Sequence, residues 1–534
     1  MQKVLTAAEM REVDRITTER YGIPSIILME NAAHAVARVI TEKLGGSVEG
    51  KSILILCGKG NNGGDGAALA RILWESGAFV STMIFGRVTD TQGDARTNFD
   101  ILCSIDRDVA SSGGEFNKLL VHENDEDLIP ILEMILSSGD IHLAVDALFG
   151  TGLQRELTGE YAEIVQRLEN HRPTIISIDI PSGLDADKAA PIGPSATAAV
   201  TVTFTAPKAA NVLAPSSRYN GELFVANIGS PQELIDEQPS QLFVAERRDA
   251  VRWLKTTAYS SSDYKNKRGH ALIIAGSESY SGAAVLAANS AIRSGVGLVT
   301  LACPAGAKAE IASRLLPEVI LTTIDSPDFE EISSKANAIG VGCGLSAADA
   351  ETEKLVPEIV ENRTTPVVVD AGALWFFNPP NGIPKQDADK SVRAPLILTP
   401  HEGEFLRLLG TKDKEAIKDR VKAVRDFSQK NNVILVLKGE RVLIGEPGGK
   451  VVVNPTGNSG LGKAGNGDTL TGILTGFVAQ AAAMDIDVFE TVVAAVYVAG
   501  MAGDFAEKKY GKRVMTASDV RDCLSDVFTE LEKN

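Results

Sequence analysis

Aromatic residues make up only 5% of this 534-residue chain, and cysteine is rarer still, with five copies. Cys57, Cys103, Cys303, Cys343 and Cys523 are scattered, odd in number and never spaced as CxxC. That pattern excludes a disulfide framework or a zinc ribbon and predicts reduced thiols, as in a cytoplasmic protein. Positive charge is also short. Fifty-three basic residues face 70 acidic ones, for a net charge of −17. Such a surface repels nucleic acid and anionic membrane, so neither is expected as a partner. Long apolar runs are missing as well. The start, "MQKVLTAAEMREVDR", has no apolar signal core. The most apolar late stretch, "VVAAVYVAGMAG", falls short of the roughly 18 residues that suggest a membrane span. Small-molecule ligands and a homo-oligomeric state are the remaining expectations.

What the chain has in quantity is glycine, 49 residues, beside a hydrophobic content of 44%. Close packing of helices on sheets with glycine-bearing loops accounts for both. The length calls for more than one domain. "TAAEMREVDRITTERYG" reads as an amphipathic helix, with Thr6 and Glu9 at capping-box spacing and Gly22 at the stop. A second helix is expected from about Pro24 to Leu44. Apolar strands ("SILILCG", "FVSTMIFG", "IHLAVDALFG", "TIISIDIPSG", then "ATAAVTVTFTAPK" and "GELFVANIG") alternate with helical patterns such as "DGAALARILWESG", "DEDLIPILEMILSSG" and "GEYAEIVQRLEN". That alternation implies a parallel, doubly wound sheet. It lapses in "SPQELIDEQPSQLFVAERRD" and then restarts with "HALIIAGS", "GLVTLAC", "NAIGVGCG", "PVVVDAG", "APLILTP" and "VILVLKG". The expected architecture is α/β, with two unlike domains at 1–228 and 249–534 joined by a linker at 229–248.

"CGKGNNGGDG", residues 57–66, contains Gly58-x-Gly60-x-x-Gly63 between a strand and a helix. The pattern matches the dinucleotide fingerprint, but the following strand ends "IFGR" without the ribose-binding acid. It is therefore not a standard dehydrogenase loop. Two more strand ends, "VDALFGTGLQRE" and "SIDIPSGLD", place Asp146 and Asp179 where open α/β sheets gather their ligands. Asn62, Asp146 and the Ser182 region supply oxygen ligands suited to a hard cation. The backbone of "GTGLQRE" with Arg155 suits phosphate.

"NNGGDG", "VDALFGTG" and "DIPSGLDAD" closely resemble the motifs of the NAD(P)H-hydrate epimerase (YjeF N-terminal) domain, over about residues 1–225. The resemblance implies a Rossmann-like three-layer sandwich. It also implies that Asn61, Asn62, Gly63, Gly64 and Asp65, with Gly150, Thr151, Gly152, Leu153, Gln154, Arg155 and Glu156, contact the hydrated nicotinamide nucleotide. Asp179 would act at the reacting ring. Asn62, Asp146 and Ser182 would hold potassium.

In the rear half, "NSGLGKAGNGDTLTGIL" sets Gly465-x-Gly467-Asp468 before an apolar helical pattern. The loop offers backbone donors to an anion at a helix N-terminus. Asp468 reads either as an N-cap or as a base that takes a proton from an attacking hydroxyl. The loop resembles the anion hole of ribokinase-like kinases. With "GVGCGLS", "VVVDAGAL", "LTPHEGEF" and "LKGERVLI" in order, residues 250–530 resemble the ADP-dependent NAD(P)H-hydrate dehydratase domain. That resemblance implies a ribokinase-like three-layer sandwich. Ala283, Gly344, His401 and Asp468 would face the hydrate. Lys438, Gly439, Glu440, Arg441, Val442 and Gly467 would contact ADP, with magnesium on its phosphates. Asn466 and Lys463 depart from the usual loop residues, and Lys463 reads as a solvated lysine or as a phosphate contact. The two halves together imply an epimerase and a dehydratase that restore NADH and NADPH from their hydrates, NADHX and NADPHX, with the dehydratase converting ADP to AMP and phosphate. The alternative is a ribokinase-like small-molecule kinase fused to a nucleotide-binding or scaffold domain.

Overall fold

The computed structural model describes residues 1–111, 118–123, 128–346, 350–384 and 394–533. It separates into two compact units, one of residues 3–240 and one of residues 1–2 with 241–534. Residues 229–248, expected as a linker, are built into these units. The helix Gln232–Asp236 buries Leu234 and Ile235 against Leu5, Met10 and Val13 in the front unit. The strand Leu242–Val244 pairs parallel with Val451–Asn454 in the rear one. "ELI" and "LFV" are too short to show a period, so neither element stood out.

In the front unit, seven parallel strands form one sheet. Their order is Leu119–Glu123, Phe79–Ile84, Ser52–Cys57, Leu143–Ala147, Ile175–Ile178, Val200–Phe204, Glu222–Ala226. Ile53, Ile55 and Cys57 point into one core with the helices Ser25–Lys43, Asn61–Glu75 and Gly93–Ser111. Leu54 and Leu56 point into another with Leu128–Ser138 and Glu160–His171. The side chains alternate because a strand's period is two, and this makes three layers. Strand order reverses between Ser52–Cys57 and Leu143–Ala147, which opens a crevice at their carboxyl ends. Thr6 and Glu9 complete the expected capping box on Ala7–Tyr21, and Gly22 closes that helix in the left-handed region. The helix expected over "DEDLIPILEMILSSG" is described from Leu128, and residues 125–127 lie outside the described residues.

The rear unit holds an eleven-stranded sheet. Seven of its strands run parallel in the order Ile434–Leu437, Leu396–Leu398, Val367–Val369, Ala338–Val341, His270–Ile274, Leu298–Cys303, Ile320–Thr323. The antiparallel strands Val442–Gly445 and Val451–Asn454 extend it, so this sheet is mixed rather than wholly parallel. The helices Ser281–Arg293, Asn466–Ala483 and Val488–Tyr510 share one core, while Val424 of Arg420–Asn431 packs at Gly445. Val488–Tyr510 is 23 residues long, and 67% of its apolar window is buried within the described structure, as in a core helix. The strand order of this sheet switches between Ala338–Val341 and His270–Ile274.

Candidate active sites

"NNGGDG" turns out to be helix rather than loop, since Asn61–Glu75 begins at its first residue. The glycines serve close approach. A Cβ on Gly63 would overlap the Gly58 carbonyl oxygen, and one on Gly66 would lie 2.7 Å from the Ala147 Cβ. This lets the helix sit directly on the strand ends. Asp65 is thereby carried inside the front unit, and burial pushes its pKa well up, with Asp179 and Asp14 adding to the rise.

The three strand-end motifs converge. A Cβ on Gly150 would lie 3.0 Å from Asn62 Oδ1 and 3.2 Å from Asp179 Oδ2. Leu153 is buried, Gly150 and Thr151 are half-buried, and Gly152, Gln154, Arg155 and Glu156 are exposed along with Asn61. Asp179 follows the strand Ile175–Ile178 with φ 66°, a left-handed backbone that non-glycine residues adopt at a cost of about 1–2 kcal/mol. Its carboxylate is held from the neighbouring strand. Lys208 Nζ donates to Asp179 Oδ1 at 2.6 Å, to Thr203 Oγ1 at 2.9 Å and to the Phe204 carbonyl at 3.0 Å. Thr203 Oγ1 donates to the same carboxylate oxygen at 3.0 Å.

Asp14, on the first helix, belongs to this cluster although no motif contains it. Its Oδ1 is buried without a hydrogen-bond partner. Burial pushes its pKa up to about 6, against the pull of Lys208 and with a further push from Asp179. Lys208 was legible only as the end of a strand run, "FTAPK", and Asp14 only as a polar residue on an amphipathic helix.

Asp146 and Ser182 sit together as expected. Asp146 accepts hydrogen bonds from Ser177 Oγ (2.9 Å), Ser182 N (2.8 Å) and Ser182 Oγ (2.5 Å). Burial raises its pKa against the lowering effect of these bonds. Among the described residues no lysine or arginine pairs with it. The Asn62 amide nitrogen is buried and unpartnered.

In the rear unit, Gly465 caps the helix Asn466–Ala483 with φ 90° and no side-chain bond, so Asp468 is not the N-cap. It stands in the first turn instead, beside the Cys343 thiol. Burial holds that thiol protonated and therefore a donor. Burial also raises the Asp468 pKa, offset by the Cys343 thiol, pushed further by Asp370 and opposed by Lys438. Asn466 Oδ1 and Thr469 Oγ1, in the same turn, are buried without partners.

Lys438 Nζ donates to Asp370 Oδ1 at 2.7 Å, and Thr471 Oγ1 to Asp370 Oδ2 at 2.8 Å. A Cβ on Gly467 would lie 3.5 Å from Lys438 Nζ. Asp370 was passed over in the sequence although it ends the strand Val367–Val369 just as Asp179 ends its own. Arg420 was passed over too. It is half-buried, its Nε is buried without a partner, and its guanidinium would meet a Cβ on Gly439. Arg441 is held back on the Pro455 carbonyl, at 2.5 Å. Lys463 is exposed, and its amine donates to the Arg513 and Met515 carbonyls at 2.7 and 2.9 Å.

Ala283 and Gly344 meet, since a Cβ on Gly344 would lie 2.9 Å from that of Ala283. His401 caps the helix Glu402–Leu408, its Nδ1 accepting from the Gly403 and Glu404 amides at 3.0 and 3.3 Å. Its Nε2 lies 3.4 Å from Glu404 Oε1.

The two units thus form a pair of α/β domains, each with a carboxylate site at the carboxyl ends of its parallel strands. Residues 25–210 match the family described as YjeF-related protein N-terminus, and residues 271–525 match the NAD(P)H-hydrate dehydratase family. The bifunctional NAD(P)H-hydrate repair enzyme Nnr of Moorella thermoacetica is 36% identical over 99% of this chain and 97% of its own length. Nnr of Thermofilum pendens is 32% identical over 100% of this chain and 97% of its own length. An ADP/ATP-dependent NAD(P)H-hydrate dehydratase structure from Bacillus subtilis is 28% identical, with a TM-score of 0.46, over 54% of this chain and 99% of that one. The chain belongs to the family of bifunctional NAD(P)H-hydrate repair enzymes. The front half is an epimerase domain and the rear half an NAD(P)H-hydrate dehydratase domain.

Proposed function

We propose that Asp468 is the base of the dehydratase half and that ADP is its phosphoryl donor. The observation that carries this reading is the placement of Asp468 in a first helical turn without a side-chain cap, beside Cys343 and next to the Lys438–Asp370 pair. Asp468 takes the proton of the hydrate's C6 hydroxyl as that oxygen attacks the terminal phosphorus of ADP, and AMP leaves. The C6–O bond then breaks to release phosphate, the C5 proton is lost to water or to the departing phosphate, and the resulting C5–C6 double bond restores the dihydronicotinamide ring. Lys438 has Asp370 as the sole hydrogen-bond partner of its amine among the described residues, so donors remain for the phosphates. Arg420, with an unpartnered Nε, stands on the same side of Gly439. Magnesium supplies charge neutralisation on the phosphates when bound, and the unpartnered Asn466 oxygen fits a polar ligand at this turn.

In the front half, Asp179 serves as the acid or base at C6 of the hydrate, held by Lys208 and Thr203. Asn62 to Asp65 and Gly150 to Glu156 bind the nucleotide around it. Asn62, Asp146 and Ser182 fit a monovalent cation. They offer amide, carboxylate and hydroxyl oxygens, and the buried Asp146 carboxylate lacks a cationic side chain among the described residues. A potassium ion held by these residues would supply the positive charge that Asp146 lacks.

The test is absorbance recovery from mixed R- and S-NADHX with magnesium, potassium and either ADP or ATP. Complete recovery with ADP supports both halves. Recovery that stops near half shows a silent epimerase, and accumulation of a stable phosphorylated product returns the rear half to the kinase reading.

A further inference from the structure

The first helix of the front unit, Ala7–Tyr21, carries no motif, yet it lies across the site. The Ala7 amide donates to Asp187 Oδ1 at 2.8 Å, and Ala7 packs with Ile180 and Leu184. Just before it, the Leu5 amide donates to the Pro207 carbonyl at 3.0 Å, and Met10 and Val13 pack with Ala206. The helix is thus laid on the two turns that hold Asp179 and Lys208. Ala7, Met10, Asp14 and Thr17 follow one another at spacings of three and four, so they share one helix face. Ala7, Met10 and Thr17 are buried. Asp14 puts a carboxyl on that inward stripe.

Nothing in the protein satisfies this carboxyl. Its Oδ1 is buried without a hydrogen-bond partner. The hydroxyls one turn on are spent within the helix, Thr17 Oγ1 on the Val13 carbonyl at 2.7 Å and Thr18 Oγ1 on the Asp14 carbonyl at 3.2 Å. Lys208 spends its donors on Asp179, Thr203 and Phe204. The charged groups that act on Asp14 are Lys208, Asp179 and Asp65. Two further polar atoms nearby are buried and unpartnered, Asn62 Nδ2 and Thr205 Oγ1, and Thr205 holds a left-handed backbone with φ 64° between Lys208 and the strand that braces Asp179. A buried carboxyl without a donor costs stability. A group that must give and take a proton has a use for that state.

Inversion at C6 of the hydrate calls for such a group. The hydroxyl must leave from one face of the ring and water must add to the other. One carboxylate serves one face. Asp146 is occupied by three donors, and burial holds the Asp65 carboxyl protonated. Asp14, half-buried and unpartnered, remains.

We propose that Asp14 is the second acid–base residue of the epimerase, serving one face of the ring at C6 while Asp179 serves the other. The proposal rests on the reading of Asp179 given above. The N1 lone pair expels the hydroxyl: the C6–O bond breaks as a C6=N1 bond forms, and the Asp14 proton departs with the oxygen as water. Water then adds to the opposite face. Its oxygen bonds to C6, the C6=N1 pair returns to nitrogen, and Asp179 takes the proton. Exchange with solvent resets both carboxyls, and the reverse direction swaps their roles.

The test incubates R-NADHX and S-NADHX separately with the full chain in water carrying heavy oxygen, without ADP. Chiral separation reads inversion, and mass reads exchange of the C6 oxygen. Asp14→Asn should lower inversion about 100-fold or more. One of the two epimers should still exchange its oxygen above the enzyme-free rate, because Asp179 continues to serve its own face. Asp14→Glu should restore part of the inversion. In the wild type, kcat/KM for inversion should be bell-shaped in pH, since the pair works only while it holds one proton, and Asp14→Asn should lose one limb. Full inversion by Asp14→Asn beside an inactive Asp179→Asn overturns this proposal alone. Equal loss of exchange from both epimers in Asp14→Asn also overturns it and leaves Asp14 a structural part. Full inversion by Asp179→Asn refutes the reading on which the proposal rests.

Discussion

Lys208 in the front unit and Lys438 in the rear unit each donate to an aspartate that ends a parallel strand, at 2.6 and 2.7 Å. Beyond that bond the two lysines differ. Lys208 is 1% exposed, and all its donors are used, on Asp179, Thr203 and Phe204. Lys438 keeps a side chain 20% exposed, with one protein partner, while its aspartate is the saturated member. A cation whose donors are all used fixes geometry. One with donors in reserve meets an incoming anion. The same side-chain pair thus serves as a brace in one half and as a docking point in the other.

The contrast is sharpest in the carboxylates that do the chemistry. Asp468→Asn should cut dehydration about a thousandfold while epimerisation continues, as read by separate assays on R- and S-NADHX. Its acid limb in kcat/KM should lie above the ordinary carboxylate range. Burial raises the Asp468 pKa, and a base must be ionised, so the rate falls as pH drops through that raised value. Lys208→Met should destabilise the front unit by about 3–5 kcal/mol, because it leaves a buried carboxylate uncompensated. Urea unfolding followed by limited proteolysis would show this. Lys438→Met also uncovers a buried carboxylate, Asp370, and should in addition raise the KM for the nucleotide about 10- to 100-fold, the worth of a charged hydrogen bond. A Lys438→Met variant with an unchanged nucleotide KM would break the comparison.

The smallest effect concerns Asp14. Its folded pKa of about 6 lies above the 3.8 of an exposed aspartate, so the native state binds the extra proton. Stability from that proton is fully present below the unfolded value and is lost as pH rises through about 6. Asp14→Asn should therefore stabilise the front unit by up to about 3 kcal/mol at pH about 8 and leave it nearly unchanged near pH 4.

The alternating strands and helices were plain in the sequence, because buried parallel strands read as apolar runs. So were the strand-end aspartates, Asp146 and Asp179. The short strands Val442–Gly445 and Val451–Asn454 were not, since antiparallel edge pairing leaves no mark in three or four residues. "NNGGDG" was read as loop from glycine content, but helix start and loop share that composition, and only the overlap at Gly63 tells them apart. Lys208 and Asp14 were hidden for a different reason. Their role is set by which strand and helix lie beside Asp179, and adjacency in space is absent from linear spacing. Cys343 likewise gained meaning only from its place beside Asp468.

The brace on Asp179 also orders events during synthesis. All three front motifs have been synthesised once residue 185 is made. The side chains that hold the left-handed aspartate are Thr203 and Lys208, and Asn211 Nδ2, itself donating to Asn220, reaches the Asp179 carbonyl at 3.4 Å. A nascent chain stalled before residue 200 therefore displays every signature of the epimerase and none of its assembled chemistry. Activity in this half thus awaits synthesis of the last strands of its own unit, well after its motifs are complete.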